Sequence, residues 1–194
     1  MSQTTERKAF TLAEVLIYAI VAILLLAMVY STLMMVLQVY QNTRNFALLQ
    51  MEAMKSASEV ANELSRSPKS SVSTGSDWLL MLSSVAPTGR IAYDNSGRVL
   101  WQKWVLYYRD ADNKLLRKEL TFTPTATPPV VAPDVNTLIN DQNLPARIVA
   151  TDITGLTSSG AFAGESVTIT ASNDLRGLAS VNVTLGCSFR PQGE

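Results

Sequence analysis

Residues 15–37 form an apolar run in which only Ser31 and Thr32 fall outside the hydrophobic set. No charged residue occurs between Glu14 and Arg44. A helix rises about 1.5 Å per residue, so about 20 such residues cross a bilayer core of roughly 30 Å. A helix buried in a soluble core is usually shorter and polar along one side. A secretory signal has a shorter apolar core with a small-residue cleavage site behind it. Here Gln38-Val39-Tyr40-Gln41-Asn42-Thr43-Arg44 follows, and no such site is present. The run therefore reads as a retained membrane helix. Arg7 and Lys8 precede it with one acid, Glu6. The bias of basic residues toward the cytoplasm then puts the N-terminus inside and the rest of the chain beyond the membrane.

This run explains an unusual composition. Of 194 residues 47% are hydrophobic and only 16% charged, against roughly 25% charged in ordinary soluble domains. Sixteen basic residues balance sixteen acidic ones, so there is no basic field of the kind a general nucleic-acid binder needs. The absence of histidine excludes a Ser-His-Asp triad, and a single cysteine excludes an internal disulfide or a multi-cysteine zinc site. No phosphate loop or nucleophile–base pair stands out, and no enzyme and no cofactor are expected.

Directly before the apolar run stands Lys8-Ala9-Phe10-Thr11-Leu12-Ala13-Glu14-Val15. This segment resembles the class III signal of type IV pilins and type II secretion pseudopilins: a short basic leader, a small residue, then Phe-Thr-Leu, an acid and an apolar helix. Ala9 stands where Gly is usual and Ala13 where Ile, Val or Leu is usual; Phe10-Thr11-Leu12 and Glu14 are intact. The resemblance implies that residues 1–9 are a leader, that a prepilin peptidase cuts between Ala9 and Phe10, and that the new amino group of Phe10 is N-methylated. Lys8, Thr11 and Leu12 then belong to the recognised signal, and Glu14 sets register during assembly.

Physical chemistry gives Glu14 a reason of its own. A carboxylate at the head of a membrane helix is costly unless paired. Cleavage after Ala9 would place an ammonium on Phe10, four residues away, and a neighbouring copy's Phe10 amine could reach Glu14 as well. The alternative is an acid left in headgroup water. The Thr11 hydroxyl is placed to cap the helix start. Tyr18 and Tyr30 read as ordinary filling of a membrane helix.

From residue 38 to 66 there is no Gly or Pro, and Phe46, Leu49, Ala53, Ala57, Val60, Ala61 and Leu64 recur at three- and four-residue spacing. That is an amphipathic helix with one apolar stripe. Joined to the apolar run of residues 15–37, it predicts one helix of about 53 residues, roughly 80 Å long. The expected architecture is α+β: a long N-terminal helix whose second half packs on an antiparallel sheet head, residues 67–194, in the lollipop form of pilins. Many major pilins carry a kinking Pro where Ser31 stands here, which favours a pseudopilin or minor pilin.

Within the head, Ser76-Asp77 before Trp78-Leu79-Leu80-Met81-Leu82 reads as a capped short helix. Two short strands flank the turn Asp94-Asn95-Ser96-Gly97. Residues 103–109 and 114–122 predict a hairpin around Asp110-Ala111-Asp112-Asn113. Its Tyr107-Tyr108 and Leu115-Leu116-Arg117 resemble J-class minor pseudopilins and W-class minor pilins. A stiff Pro/Thr loop covers 123–129, a short helix is expected near 134–140, and strands at 147–152, 165–171 and 180–189, with Gly155, Gly160, Gly164 and Gly177 between them. Asp110 and Asp112 are weak calcium candidates, since hard oxygen ligands at alternate positions suit that ion, but they lack the Gly and distal Glu of an EF-hand. A polar turn is the plainer reading. Cys187 reads as a small buried residue in a strand.

The function expected from the resemblance is structural: a minor subunit of a type II secretion pseudopilus or a type IV pilus, near the filament tip. Its partners would be other pilin-like subunits, the peptidase, an inner-membrane assembly platform and lipid. It would sit in the bacterial inner membrane, N-terminus cytoplasmic and head periplasmic, before assembly. Two alternatives stand beside it: a tip module that binds DNA or a surface ligand, and an unrelated single-pass membrane protein. Beyond residue 37 there are 14 basic and 14 acidic residues, so any nucleic-acid site would have to be a local patch.

Overall fold

The structure is a computed structural model that describes residues 11–86, 88–125, 131–161, 164–171 and 181–187. The chain falls into two units, one up to Asn45 and one from Phe46 on. The helix α1 (Leu12–Leu64) belongs to both.

In the first unit every described residue is exposed, including Leu12, Ile17, Leu24 and Leu26. The two hydroxyls inside the apolar segment are satisfied by their own helix: Ser31 Oγ and Thr32 Oγ1 each donate to the Met28 carbonyl at 2.9 Å. Such back-bonding removes the cost of an unpaired hydroxyl in an apolar medium. α1 is long and apolar enough to cross a membrane.

In the second unit the stripe read from the sequence becomes a seam. Leu49, Ala53, Ala57, Val60 and Leu64 of α1 are buried. Ala53, Ala57, Val60 and Leu64 pack against a five-stranded antiparallel sheet in the order β1 (Ser73–Gly75), β2 (Trp78–Ser83), β3 (Trp101–Arg109), β4 (Leu115–Thr125) and β5 (Arg147–Ala150). The fold is α+β, as expected. The alternation of strand side chains divides the core in two. Leu79, Met81, Val105, Tyr107 and Leu115 face the helix seam. Leu80, Leu82, Trp104, Leu106 and Tyr108 face the other way, onto Leu138 of the short helix α2 (Val135–Asn140).

This double cover corrects the reading of residues 76–82. They form no capped helix; Trp78–Ser83 is the strand β2, buried at every position after Trp78. A short apolar run does not distinguish helix from strand by its period, and here both sides of the run have a core to fill. Asp77 is a turn residue in the left-handed region, φ 65°, joining β1 to β2. Opposite it, Gly75 leaves room for the Trp78 indole; a Cβ there would lie 2.3 Å from the ring.

The β3–β4 hairpin forms where expected, with Arg109 opposite Leu115 and Asn113 at φ 60° in its turn. The hairpin expected around Asp94 is reduced to one isolated bridge, Tyr93 to Val99, and a second bridge joins Val85 to Ile91 across the preceding turn. A second, three-stranded sheet runs β6 (Ile153–Ala161), β7 (Gly164–Ala171) and β8 (Val181–Cys187). Gly155 and Gly160, expected to mark a connection, lie within β6 instead. Its Ile153 and Leu156 complete the core on the helix side of the first sheet, and Gly155 lies in the strand at a register shift against Thr170.

α2 is held at both ends. The Asp134 carboxylate accepts the Thr137 backbone N–H at 3.0 Å and the Thr137 hydroxyl at 2.8 Å, a typical N-cap. At the other end the buried Lys118 of β4 donates from Nζ to the carbonyls of Leu138 (3.0 Å), Ile139 (2.8 Å) and Asp141 (2.8 Å). Its three N–H donors are thus matched by carbonyls that the helix end would otherwise leave unpaired. Lys118→Met should destabilise the head by about 1–3 kcal/mol, because it orphans buried carbonyls while keeping the apolar stem. Urea denaturation of the detergent-solubilised chain measures it.

Candidate functional site

The helix start carries the residues that the sequence singled out. Lys8, Ala9 and Phe10 lie outside the described residues. Thr11 and Glu14 form a reciprocal cap: the Thr11 backbone N–H and hydroxyl donate to Glu14 Oε2 at 2.9 and 3.0 Å. The Glu14 N–H in turn reaches Thr11 Oγ1 at 3.4 Å. This is the T-x-x-E capping box, with Thr11 at the cap and Glu14 at the third helical position. Thr11 therefore takes the role expected of it, and Glu14 has a local partner that the sequence reading did not consider. The acid also sits where the helix dipole favours negative charge. Leu12, the first helical residue, is 87% exposed.

Asp110 and Asp112 are engaged within their turn. Asp110 Oδ1 accepts the Lys114 N–H at 2.8 Å, and Asp112 Oδ2 pairs with Lys114 Nζ at 2.9 Å. Asn113 Oδ1 accepts from Arg109 Nη1 at 3.0 Å. Among the described residues no group of three or more His, Cys, Asp or Glu is placed to hold a metal ion. Cys187 closes β8.

A polar cluster that the sequence reading missed ties α1 to the sheet. Arg117 of β4, whose side chain is 11% exposed, sends Nη2 to Glu63 Oε1 at 2.6 Å, Nη1 to Glu119, and Nε to the Tyr107 hydroxyl at 3.1 Å. The Tyr107 hydroxyl donates to Glu63 Oε2 at 2.8 Å. Glu119 also pairs with Lys103 at 2.8 Å, and Glu59 pairs with Arg147 of β5. The guanidinium lies 5.8 Å from the Tyr107 ring centre, within cation–π range.

The electrostatics follow from burial and pairing. Burial first, then the Glu63 carboxylate, push the Tyr107 phenol far above its ordinary range, so it is a fixed donor. Burial alone would lower Arg117, but its hydrogen bond and ion pair with Glu63 outweigh this and raise it. Burial likewise opposes ionisation of Glu119, yet Lys103 and Arg117 hold its carboxyl below the usual range. At the far end of the sheet Arg109 does the same for Asp77 through a 2.8 Å contact. Glu59 and Glu63, one turn apart beside the Ala53-Ala57-Val60-Leu64 seam, were the available sequence signal. Acids flanking an apolar stripe imply cations on the surface it meets.

The geometry thus offers two candidate surfaces of different kinds. The head contains a satisfied ion network that holds a helix, with no exposed nucleophile or acid–base pair in it. The helix start offers a capped acid at the head of a fully exposed apolar segment. No family model, curated protein or solved structure matches this chain.

Proposed function

We propose that this chain is a structural minor subunit of a type II secretion pseudopilus or a type IV pilus. In this reading it is made as a precursor and held in the bacterial inner membrane, N-terminus cytoplasmic and head periplasmic. A prepilin peptidase cleaves it between Ala9 and Phe10 and methylates Phe10. It then joins other pilin-like subunits through its N-terminal helix, near the filament tip, with the help of an inner-membrane assembly platform.

One observation carries the reading: the Phe-Thr-Leu-x-Glu segment leads directly into a helix that is apolar on every side and exposed on every side. Such a helix needs lipid or other helices around it. A filament core supplies the second environment and the membrane the first, so both stages of the proposed life cycle satisfy the same surface. The balanced charge of the head fits a packing subunit better than a DNA-capturing tip, which needs a basic face.

Intact-mass measurement tests it. In a host with an active prepilin peptidase the purified chain should lack residues 1–9 and carry one added methyl group on Phe10. In a peptidase-deficient host it should retain the leader. An intact leader in the first host overturns the proposal.

A further inference from the structure

Three surroundings follow one another along α1. Residues 15–37 are apolar with the exception of Ser31 and Thr32. From Leu49 on, the helix has buried residues at Leu49, Ala53, Ala57, Val60 and Leu64. Between the two lie residues 38–48, Gln-Val-Tyr-Gln-Asn-Thr-Arg-Asn-Phe-Ala-Leu, all of them exposed. The boundary between the two units, Asn45 to Phe46, falls inside this stretch.

Each flank has a reason to stay helical. In lipid or detergent no water can replace the backbone hydrogen bonds of the apolar run, so opening it is very costly. The later part is held by its packed seam and by the ion pair of Glu63 with Arg117 at 2.6 Å. The middle has neither support. A helix shorter than about 12–15 residues is marginal in water without packing.

The composition of the middle weakens it further. Val39, Tyr40, Asn42, Thr43, Asn45 and Phe46 all rank low in helix propensity. Thr43 turns its hydroxyl back onto the Val39 carbonyl at 2.9 Å, a bond that slightly destabilises and bends helices. Arg44 has Tyr40, Gln41, Ala47 and Leu48 at the three- and four-residue positions, so no ion pair along the helix supports it. Segments with few packed contacts are the ones that open locally.

We infer that residues 38–48 are a built-in weak stretch of α1 that opens while both flanks stay helical. The Arg44–Asn45 bond is then the point at which a trypsin-like protease parts the apolar segment from the head. A cut there leaves Leu49, Ala53, Ala57, Val60 and Leu64 with the head. The inference needs an apolar surrounding for residues 15–37, lipid or detergent, and does not rest on the filament reading.

Limited trypsin digestion of the full detergent-solubilised chain tests it. Lys55 is the internal control, exposed like Arg44 but within the packed part of α1. Initial cleavage rates after Arg44 and after Lys55 are read by mass spectrometry. Each is divided by the rate at the same bond in a synthetic peptide of residues 38–60. The normalised rate should be about 100-fold higher at Arg44, because cleavage follows the population of the open form. A ratio below about tenfold overturns the inference. In Val39→Ala/Asn42→Ala/Thr43→Ala, cleavage after Arg44 should slow about tenfold, from the higher helix propensity of alanine. Cleavage after Lys55 should be unchanged. An Arg44 site that is not slowed, or both sites slowed alike, also overturns the inference, since the opening would then not arise from a locally weak helix.

Discussion

Arg117→Met is expected to destabilise the head by about 3–5 kcal/mol at neutral pH, the usual cost of removing one partner from a buried charge network. Stability totals of about 5–15 kcal/mol are typical of whole domains, so the variant should lie close to its unfolding threshold. The cost has an identifiable origin. Arg117 spends all three of its nitrogens on Glu63, Glu119 and Tyr107. Without it, carboxylates on α1 and β4 face each other with only Lys103 and Arg147 left to compensate. Arg117→Lys should recover part of the loss, because it restores the charge but not the planar fork that serves three partners at once.

The pH dependence of that difference can be signed. The folded protein holds the Glu119 carboxyl below its ordinary range, with Lys103 and Arg117 overcoming burial. A depressed carboxylate stabilises the fold above its unfolded pKa, and that contribution is lost as pH falls through the folded value. Arg117→Met removes part of it. The gap between parent and variant should therefore be widest near pH 7 and narrow on acidification below the ordinary carboxylate range. Urea denaturation at pH 7 and pH 4, read by tryptophan fluorescence, checks this; a gap that widens toward acid contradicts it.

The second large effect is expected at the helix start. Glu14→Ala should abolish recovery of the chain in sheared filaments if the proposed assembly role holds. The capping box complicates that experiment, since alanine also removes a cap worth about 1 kcal/mol. Glu14→Gln separates the two roles. Glutamine can accept from Thr11 as the carboxylate does, but it cannot form an ion pair with an N-terminal amine. Under the assembly reading Glu14→Gln also fails to incorporate while its helix content is unchanged. Normal incorporation of Glu14→Gln would reduce Glu14 to a cap and remove its part in assembly.

How much of this could be read in advance varies with the kind of interaction. α1 was legible because its cause is local: an uninterrupted apolar run followed by a single stripe, with no Gly or Pro to break it. The β3–β4 hairpin was legible because strand formers flank a turn-forming Asp-Ala-Asp-Asn. The α2 start was legible at Asp134. β2 was misread because a six-residue apolar run is compatible with either structure, and only the presence of a core on both sides decides. β6 was missed because Gly155 and Gly160 look like loop residues until a neighbouring strand pairs with them.

The polar network was the least legible part. Glu59 and Glu63 declared themselves as acids beside a buried stripe, but nothing local names Arg117, which lies 54 residues from Glu63 in the chain. The cap of α2 by Lys118 is of the same kind, an ammonium directed at carbonyls more than 20 residues away. The sequence by itself determined where the chain is apolar, where the long helix runs, and which acid heads it, because those properties depend on neighbours three or four residues apart. Only the tertiary structure decided which charges are paired and which strands have two covered faces. Those outcomes depend on what the folded chain brings to within about 3 Å of a buried group, where an unmet charge or carbonyl is too costly to leave alone.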